Sequence, residues 1–207
     1  MYGYTDMLEL LPEILQLNNN LITKVSICVS CKKEVNRYQS ANAWYGQTIS
    51  LWSSYLKYVH YKKTIPSMQG YINYSDKMPM SNLKCCSNKF FLTETVFEQE
   101  PILLGFLLPD FMKSTSLLLQ SFNFNEIISI RYKNNEISKL YLKCIIYFGS
   151  SHFTVRLIDR NSDVWYYDST TNNGKSIKEK NILEFNSAEL IQCNMRRASC
   201  ILYAKNM

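Results

Sequence analysis

In the second half of the chain, apolar runs of strand length alternate with short polar breaks. Pro101 to Leu108 is one such run. Ile127 to Tyr132 is the next, closed by the turn-like polar tetrad Lys133-Asn134-Asn135-Glu136. Leu140 to Phe148 is strand-like up to the break at Gly149-Ser150-Ser151. His152 to Ile158 is rich in strand formers, Asp159 to Asp163 is a polar turn, and Val164 to Tyr167 is a short strand ending at Asp168. Ser199 to Ala204 supplies the last run. Short strands joined by tight polar turns predict an antiparallel sheet late in the chain.

The first half is less regular. Asp6 to Leu17 has the apolar spacing of a short helix, which Pro12 would kink or break. Val25 to Val29 reads as a strand running into Cys28-Val29-Ser30-Cys31. From about Asn36 to Ser81, Tyr, Ser, Asn and Lys surround Trp44 and Trp52, and no clean period emerges. Ordinary packing is the expected use of those aromatics, with a protein-binding surface as the alternative. His60 reads as a surface or half-buried neighbour of tyrosines. No internal repeat is visible.

Composition narrows the class. The 207 residues are 46% hydrophobic and 19% charged, which suits one globular domain rather than a disordered chain. The net charge of +6 is scattered in short clusters such as Lys32-Lys33, Lys62-Lys63 and Arg196-Arg197. Nucleic-acid readers gather such charge on one face, so no nucleic-acid partner is expected. No apolar stretch approaches the roughly 20 residues of a spanning helix, so no membrane partner is expected either. The start lacks the positive region of a secretory signal. Seven unevenly spread cysteines do not form a disulfide framework. A reduced, intracellular protein of cytoplasm or nucleus is the expectation.

Candidate chemistry begins with His152 and Asp168. One opens a strand, the other ends the next, and a turn lies between them. An antiparallel hairpin brings them side by side. An Asp beside an imidazole fixes its tautomer and stabilises the protonated ring, which is the base half of a nucleophilic triad. Asp159 and Asp163 sit at the far end of the hairpin and are poorer partners.

Four segments, in order, resemble ubiquitin-specific proteases from about Cys28 to the C-terminus. Pro101 to Leu108 with Phe111 is similar to the family's Pro-x-x-Leu-x-x-x-Leu-x-x-Phe strand. Leu140 to Leu157 resembles its His region, Val164-Trp165-Tyr166-Tyr167-Asp168-Ser169 its Trp-Tyr-x-Phe-Asp-Asp segment, and Ser199 to Ala204 its closing Ala-Tyr-x-Leu-Phe-Tyr strand. The resemblance implies an α+β fold: the antiparallel palm of a papain-like cysteine protease over about residues 101–207, a degenerate fingers region over about 25–100, and a helical thumb largely missing. It implies His152 as general base, Asp168 as orienting acid, and ubiquitin or a ubiquitin-like modifier as partner. Two positions depart from the family: Ser151 replaces the Gly before the His, and Ser169 replaces the second Asp.

The family's nucleophile is a Cys in an Asn-x-Gly-x-Thr-Cys-type segment ahead of the first cysteine pair. Residues 1 to 27 contain no Cys. The resemblance therefore implies the C-terminal part of such a domain, or a relative without its thumb. The thiolate is the attacking species, so His152 and Asp168 alone would be inactive. Another chain supplies the Cys, the sequence is incomplete, or the domain only binds ubiquitin. An alternative resemblance, to SUMO-specific (Ulp-type) proteases, orders the triad as His152, Asp168 and Cys200. There Cys200 is followed by Ile201 rather than Gly, and Gln192 stands eight residues ahead. Burial in a strand is the plainer use of Cys200, and Cys144 and Cys193 read as structural.

Cys28-x-x-Cys31 has zinc-knuckle spacing. Cys85-Cys86 is the candidate second pair, placed where the ubiquitin-specific proteases carry the second knuckle of their fingers. Adjacent cysteines on extended chain point to opposite faces, which would strain a tetrahedral site. Structural zinc and a degraded, metal-free finger both remain open at this point. A redox Cys-x-x-Cys is disfavoured because no strand–motif–helix context surrounds it.

Overall fold

β-branched and aromatic runs set the architecture. The computed structural model describes residues 21–41, 44–45, 49–75, 85–86, 91–108, 121–133 and 136–206. In chain order the strands are β1 (Leu21–Cys28), β2 (Glu34–Ala41) and β3 (Trp44–Tyr45). Two helices follow, α1 (Ile49–Lys62) and α2 (Met68–Ser75). Then come β4 (Phe91–Phe97), β5 (Leu103–Leu107), β6 (Ile127–Tyr132), β7 (Glu136–Gly149), β8 (His152–Ile158), β9 (Asp163–Tyr167) and β10 (Ile177–Asn181). The short helix α3 (Ser187–Ile191), β11 (Gln192–Cys193) and β12 (Arg196–Ala204) complete them. The class is α+β, dominated by sheet.

All twelve strands of the described residues join one sheet, with the path β10-β9-β8-β7-β6-β4-β1-β2. β12 lies against the second half of β7 and carries β5 and β11, and β3 pairs with β5. The sheet is not wholly antiparallel, as the sequence suggested: β3–β5 and β4–β6 pair in parallel. Long connections separate the members of each pair, which is what a parallel pairing requires. Strand bounds agree closely with the apolar runs, and β6 and β8 carry the expected ends. β7 begins at Glu136, four residues before the expected Leu140. The expected helix over 6–17 and the position of Phe111 lie outside the described residues.

A bulge in the β7–β12 ladder, between Leu142 and Cys144, lets β7 serve one core with two sets of residues. Leu140 and Leu142 before it, and Ile145 and Tyr147 after it, belong to the main core with Ile128, Ile201 and Tyr203. α1 and α2 contribute to that core through Trp52, Tyr55, Val59, Met68, Tyr71 and Ile72. Trp52 stacks on Tyr71 with centroids 3.6 Å apart, so packing is the use of this Trp. The other side of the sheet buries Cys144, Ile146, Cys200 and Leu202 against Phe153 and Val155. Among the described residues, no helix is long and apolar enough to cross a membrane.

Candidate functional site

The β7–β8 hairpin positions the first candidate. Its register pairs Gly149 with His152 across the two-residue loop Ser150-Ser151. Both serines have positive φ, 52° and 57°, the geometry of a hairpin turn whose twist matches its strands. Serine accepts that conformation with some strain, so Ser151 does at a cost what a Gly there would do freely. Gly149 cannot be larger without movement: a Cβ would stand 3.2 Å from Cα of Arg196.

β9 returns beside β8 and ends at Tyr167, with Asp168 the next residue, as expected. His152 Nε2 lies 2.7 Å from Asp168 Oδ1. Thr170 adds two bonds to the same oxygen, from its amide at 2.9 Å and its hydroxyl at 2.7 Å. The Tyr166 hydroxyl donates to Oδ2 at 3.3 Å, and Arg196 Nη1 lies 3.7 Å from Oδ2. Asp168 is 3% exposed. Burial pushes its carboxyl up, but the Thr170 bonds and the His152 ring outweigh this and hold it well below the usual carboxylate range. An ionised carboxylate only accepts, so Nε2 must donate. Nδ1 is left as the ring nitrogen able to take a proton. Asp159 and Asp163 are used elsewhere: Asp159 accepts from Trp165 Nε1 at 2.9 Å, and Asp163 pairs with Lys178 at 2.5 Å.

Cys200 is not the third member of this group. Along β8, His152, Thr154, Arg156 and Ile158 share one side of the sheet, while Phe153, Val155 and Leu157 share the other. Cys200 packs with Cys144, Ile146, Phe153 and Val155, hence on the side away from the ring. It is 3% exposed, and burial pushes its thiol well above the ordinary range. The His152–Asp168–Cys200 ordering imitates a triad in sequence only, because strand parity separates its members. Cys144 and Cys193 are also buried, as expected for structural cysteines. None of the seven thiols hydrogen-bonds to His152 among the described residues. His60 is exposed on α1.

The second candidate gathers Cys28, Cys31, Cys85 and Cys86, whose sulfurs all lie within 4.8 Å of one another. Cys31 Sγ is 3.5 Å from Cys85 Sγ, and Cys85 Sγ is 3.4 Å from Cys86 Sγ. Tetrahedral zinc with sulfurs at about 2.3 Å needs S–S spacings of about 3.8 Å, so the set fits that ion after small adjustments. The expected obstacle, neighbouring cysteines facing opposite ways, is removed by backbone conformation. Cys86 has φ 50°, which turns its side chain back toward that of Cys85. Lys32, just after Cys31, has φ 60° and tightens the first knuckle, where its amide bonds Cys28 O at 2.9 Å. The Lys33 backbone bond and the Cys86 thiol pull Cys31 down to about 6, and Cys86 and Cys31 push Cys85 up to about 12. Four such thiols could hold a structural metal, and zinc suits the all-sulfur set.

Sequence reasoning missed two contributors. Thr170 carried a faint signal, since an Asp often accepts from the amide two residues on. Arg156 carried none. It is buried, bonds Glu179 through Nε at 2.7 Å and Nη2 at 3.0 Å, and reaches the Tyr147 hydroxyl and the Glu189 carbonyl. Burial opposes its charge, but Glu179 more than compensates. Phe185 covers the guanidinium, 4.7 Å from ring centroid to Cζ. This clamp fastens β10 and α3 to the strand that carries His152.

No family profile matches the chain, and no curated protein matches it. Solved structures do. The SAGA DUB module of Ubp8, Sgf11, Sus1 and Sgf73 bound to monoubiquitin matches with a TM-score of 0.54 at 9% identity, over 91% of this chain and 40% of that one. The same module bound to ubiquitin aldehyde gives 0.54 at 9% identity, over 91% and 41%. The yeast module with an altered Sgf73 gives 0.55 at 9% identity, over 91% and 41%. The chain thus spans about two fifths of the length of these structures. The likeness is one of fold.

Proposed function

We propose that this chain is a ubiquitin-specific-protease-like domain that receives the tail of ubiquitin, or of a ubiquitin-like modifier, and does not cleave on its own. The observation that carries the reading is the 2.7 Å bond between His152 Nε2 and the buried Asp168 carboxylate. It leaves Nδ1 of a partly exposed ring as a proton acceptor at the end of a hairpin. The fold shared with DUB modules solved with monoubiquitin and ubiquitin aldehyde supports it. On this reading residues 101–207 are a palm, and about 25–100 are fingers braced by metal at the four cysteines. Cys28, Cys31, Cys85 and Cys86 would hold the ion, which would brace the strand ends and take no part in chemistry.

If another chain or segment supplies a thiol, the division of labour follows. His152 Nδ1 takes the thiol proton, and the thiolate attacks the isopeptide carbonyl after the terminal Gly-Gly. The imidazolium returns a proton to the departing lysine amine, while Asp168 holds the ring throughout. With Cys144, Cys193 and Cys200 buried and the other four cysteines clustered, this chain alone binds without turnover.

The test is a titration of isotopically labelled ubiquitin with the chain, beside hydrolysis of a fluorogenic amide of the ubiquitin C-terminus. Shifts at the ubiquitin tail and no hydrolysis are expected. Absence of any binding to ubiquitin or SUMO would sink the reading.

A further inference from the structure

A groove away from His152 and Asp168 lies between α1 and α2. It has a volume of about 600 Å³ and is lined by Tyr55, Tyr58, Val59, Thr64, Ile65, Ser67, Gly70, Asn73 and Tyr74. Such a volume falls in the range of sites that take small ligands or side chains, roughly 300–1,000 Å³. Tyr74 forms its aromatic wall, 5.6 Å from Tyr55 and 5.2 Å from Tyr58 between centroids. The Tyr55 hydroxyl is spent on the Ser67 backbone, at 2.9 Å to its carbonyl and 2.8 Å from its amide, so the floor is rigid. At the mouth, apolar surface is left open: Ile65 is 69% exposed and Tyr58 46%.

Charge on the segment that forms the groove is one-sided. None of the described lining residues is charged, and residues 49–75 contain Lys57, Lys62 and Lys63 but no Asp or Glu. Lys62 follows Tyr58 by four residues on α1 and so shares its face. Lys63, with φ 53°, ends the helix and turns the chain into Thr64 and Ile65. A tyrosine-walled trough with exposed Ile65 at its mouth and Lys62 and Lys63 next in the chain to its lining residue Thr64 matches a ligand with an apolar anchor and negative flanks.

We propose that this groove docks an acidic peptide segment of a partner protein, its Leu, Phe or Pro anchor seated between Tyr58, Tyr74 and Ile65 and its carboxylates against Lys62 and Lys63. The site is independent of the His152–Asp168 reading. Several tyrosines and lysines together would also suit a single strand of nucleic acid, by stacking and phosphate contact. The peptide is favoured because the pocket is a trough of about 600 Å³, and the Tyr74 ring is tilted by 49° to Tyr55 and 38° to Tyr58 rather than lying in one plane with them.

The experiment selects a phage-displayed library of random twelve-residue peptides on the full chain, with counter-selection on Ile65→Glu. One enriched peptide is then titrated by fluorescence anisotropy. Net-negative sequences with an apolar anchor are expected. Their binding should weaken at least tenfold with Tyr58→Ala and with Lys62→Glu/Lys63→Glu, while the melting temperature and the His152 ring signals stay in place. If Tyr58→Ala fails to fold, the exposed Ile65→Glu supplies the same readout. No enrichment, enrichment of basic peptides, or binding indifferent to these substitutions overturns the proposal. So does tighter binding of a twelve-nucleotide deoxythymidine strand at the same residues, or self-association that Ile65→Glu abolishes.

Discussion

Asp168 Oδ1 accepts from His152 Nε2 at 2.7 Å and from both the amide and the hydroxyl of Thr170. These bonds are stronger to the ionised carboxylate than to the neutral acid, so they link the site to pH. The folded-state carboxyl is held below its ordinary value, and the unfolded chain takes up the proton first as pH falls. Its stabilisation is complete above the ordinary carboxylate range, about pH 4, and is lost as pH falls through the folded-state value. Asp168→Asn should cost about 2 kcal/mol at neutral pH and flatten the acid limb of the stability curve. Urea unfolding across the acid range measures both, and an unchanged acid slope would count against the assignment.

Arg156 should matter more to stability than any surface charge. Its guanidinium is buried, paired twice with Glu179, and bonded to Tyr147 and Glu189. Arg156→Ala removes the clamp on β10 and α3 and its bonds to the buried Tyr147 hydroxyl and the Glu189 carbonyl, while the exposed Glu179 is solvated, at an expected cost of about 2 kcal/mol. Arg156→Lys restores the charge but not the fork and should recover only part of that. Denaturant midpoints of the two variants decide it: equal midpoints would mean the fork geometry is irrelevant.

The cysteine cluster predicts one zinc per chain. Metal analysis should find it, and a chelator should lower the melting temperature. Cys86→Ser should lower metal affinity although it alters the most exposed member of the set. A chain that melts identically with and without zinc would show that the cluster is not a structural site.

Thiol reactivity should divide by burial. Cys144, pushed up to about 12 by its burial, and Cys200, buried beside it, should resist alkylation in the native chain and react only on unfolding. Ubiquitin or SUMO carrying a thiol-reactive warhead should leave Cys200 unlabelled, and Cys200→Ala should behave as the parent. Rapid native labelling of Cys200 would reopen the triad ordering that strand parity excludes.

Much of the sheet was legible because its strands are written in β-branched and aromatic residues broken by Gly, Ser, Asn and Asp. The His152–Asp168 contact followed from hairpin geometry alone. α1 and α2 were illegible for a physical reason: half of their core-facing residues are aromatic, with Trp52, Tyr55 and Tyr71 where aliphatics would have marked a helical period. The cysteine site was legible by spacing but misjudged in geometry, since a positive φ at Cys86 cannot be read from two adjacent letters. Arg156 and Glu179 are 23 residues apart on strands that are not neighbours, so no local pattern announces their pairing.

Asp168 fixes the His152 ring with Nε2 donating and Nδ1 free to accept a proton. The chain has two histidines, so His60→Gln leaves a single imidazole to observe. Long-range proton–nitrogen NMR of that ring at neutral to mildly alkaline pH should show the Nε2–H tautomer, and Asp168→Ala should release it to a mixture. A ring that carries its proton on Nδ1, or whose spectrum is indifferent to Asp168→Ala, would contradict the account.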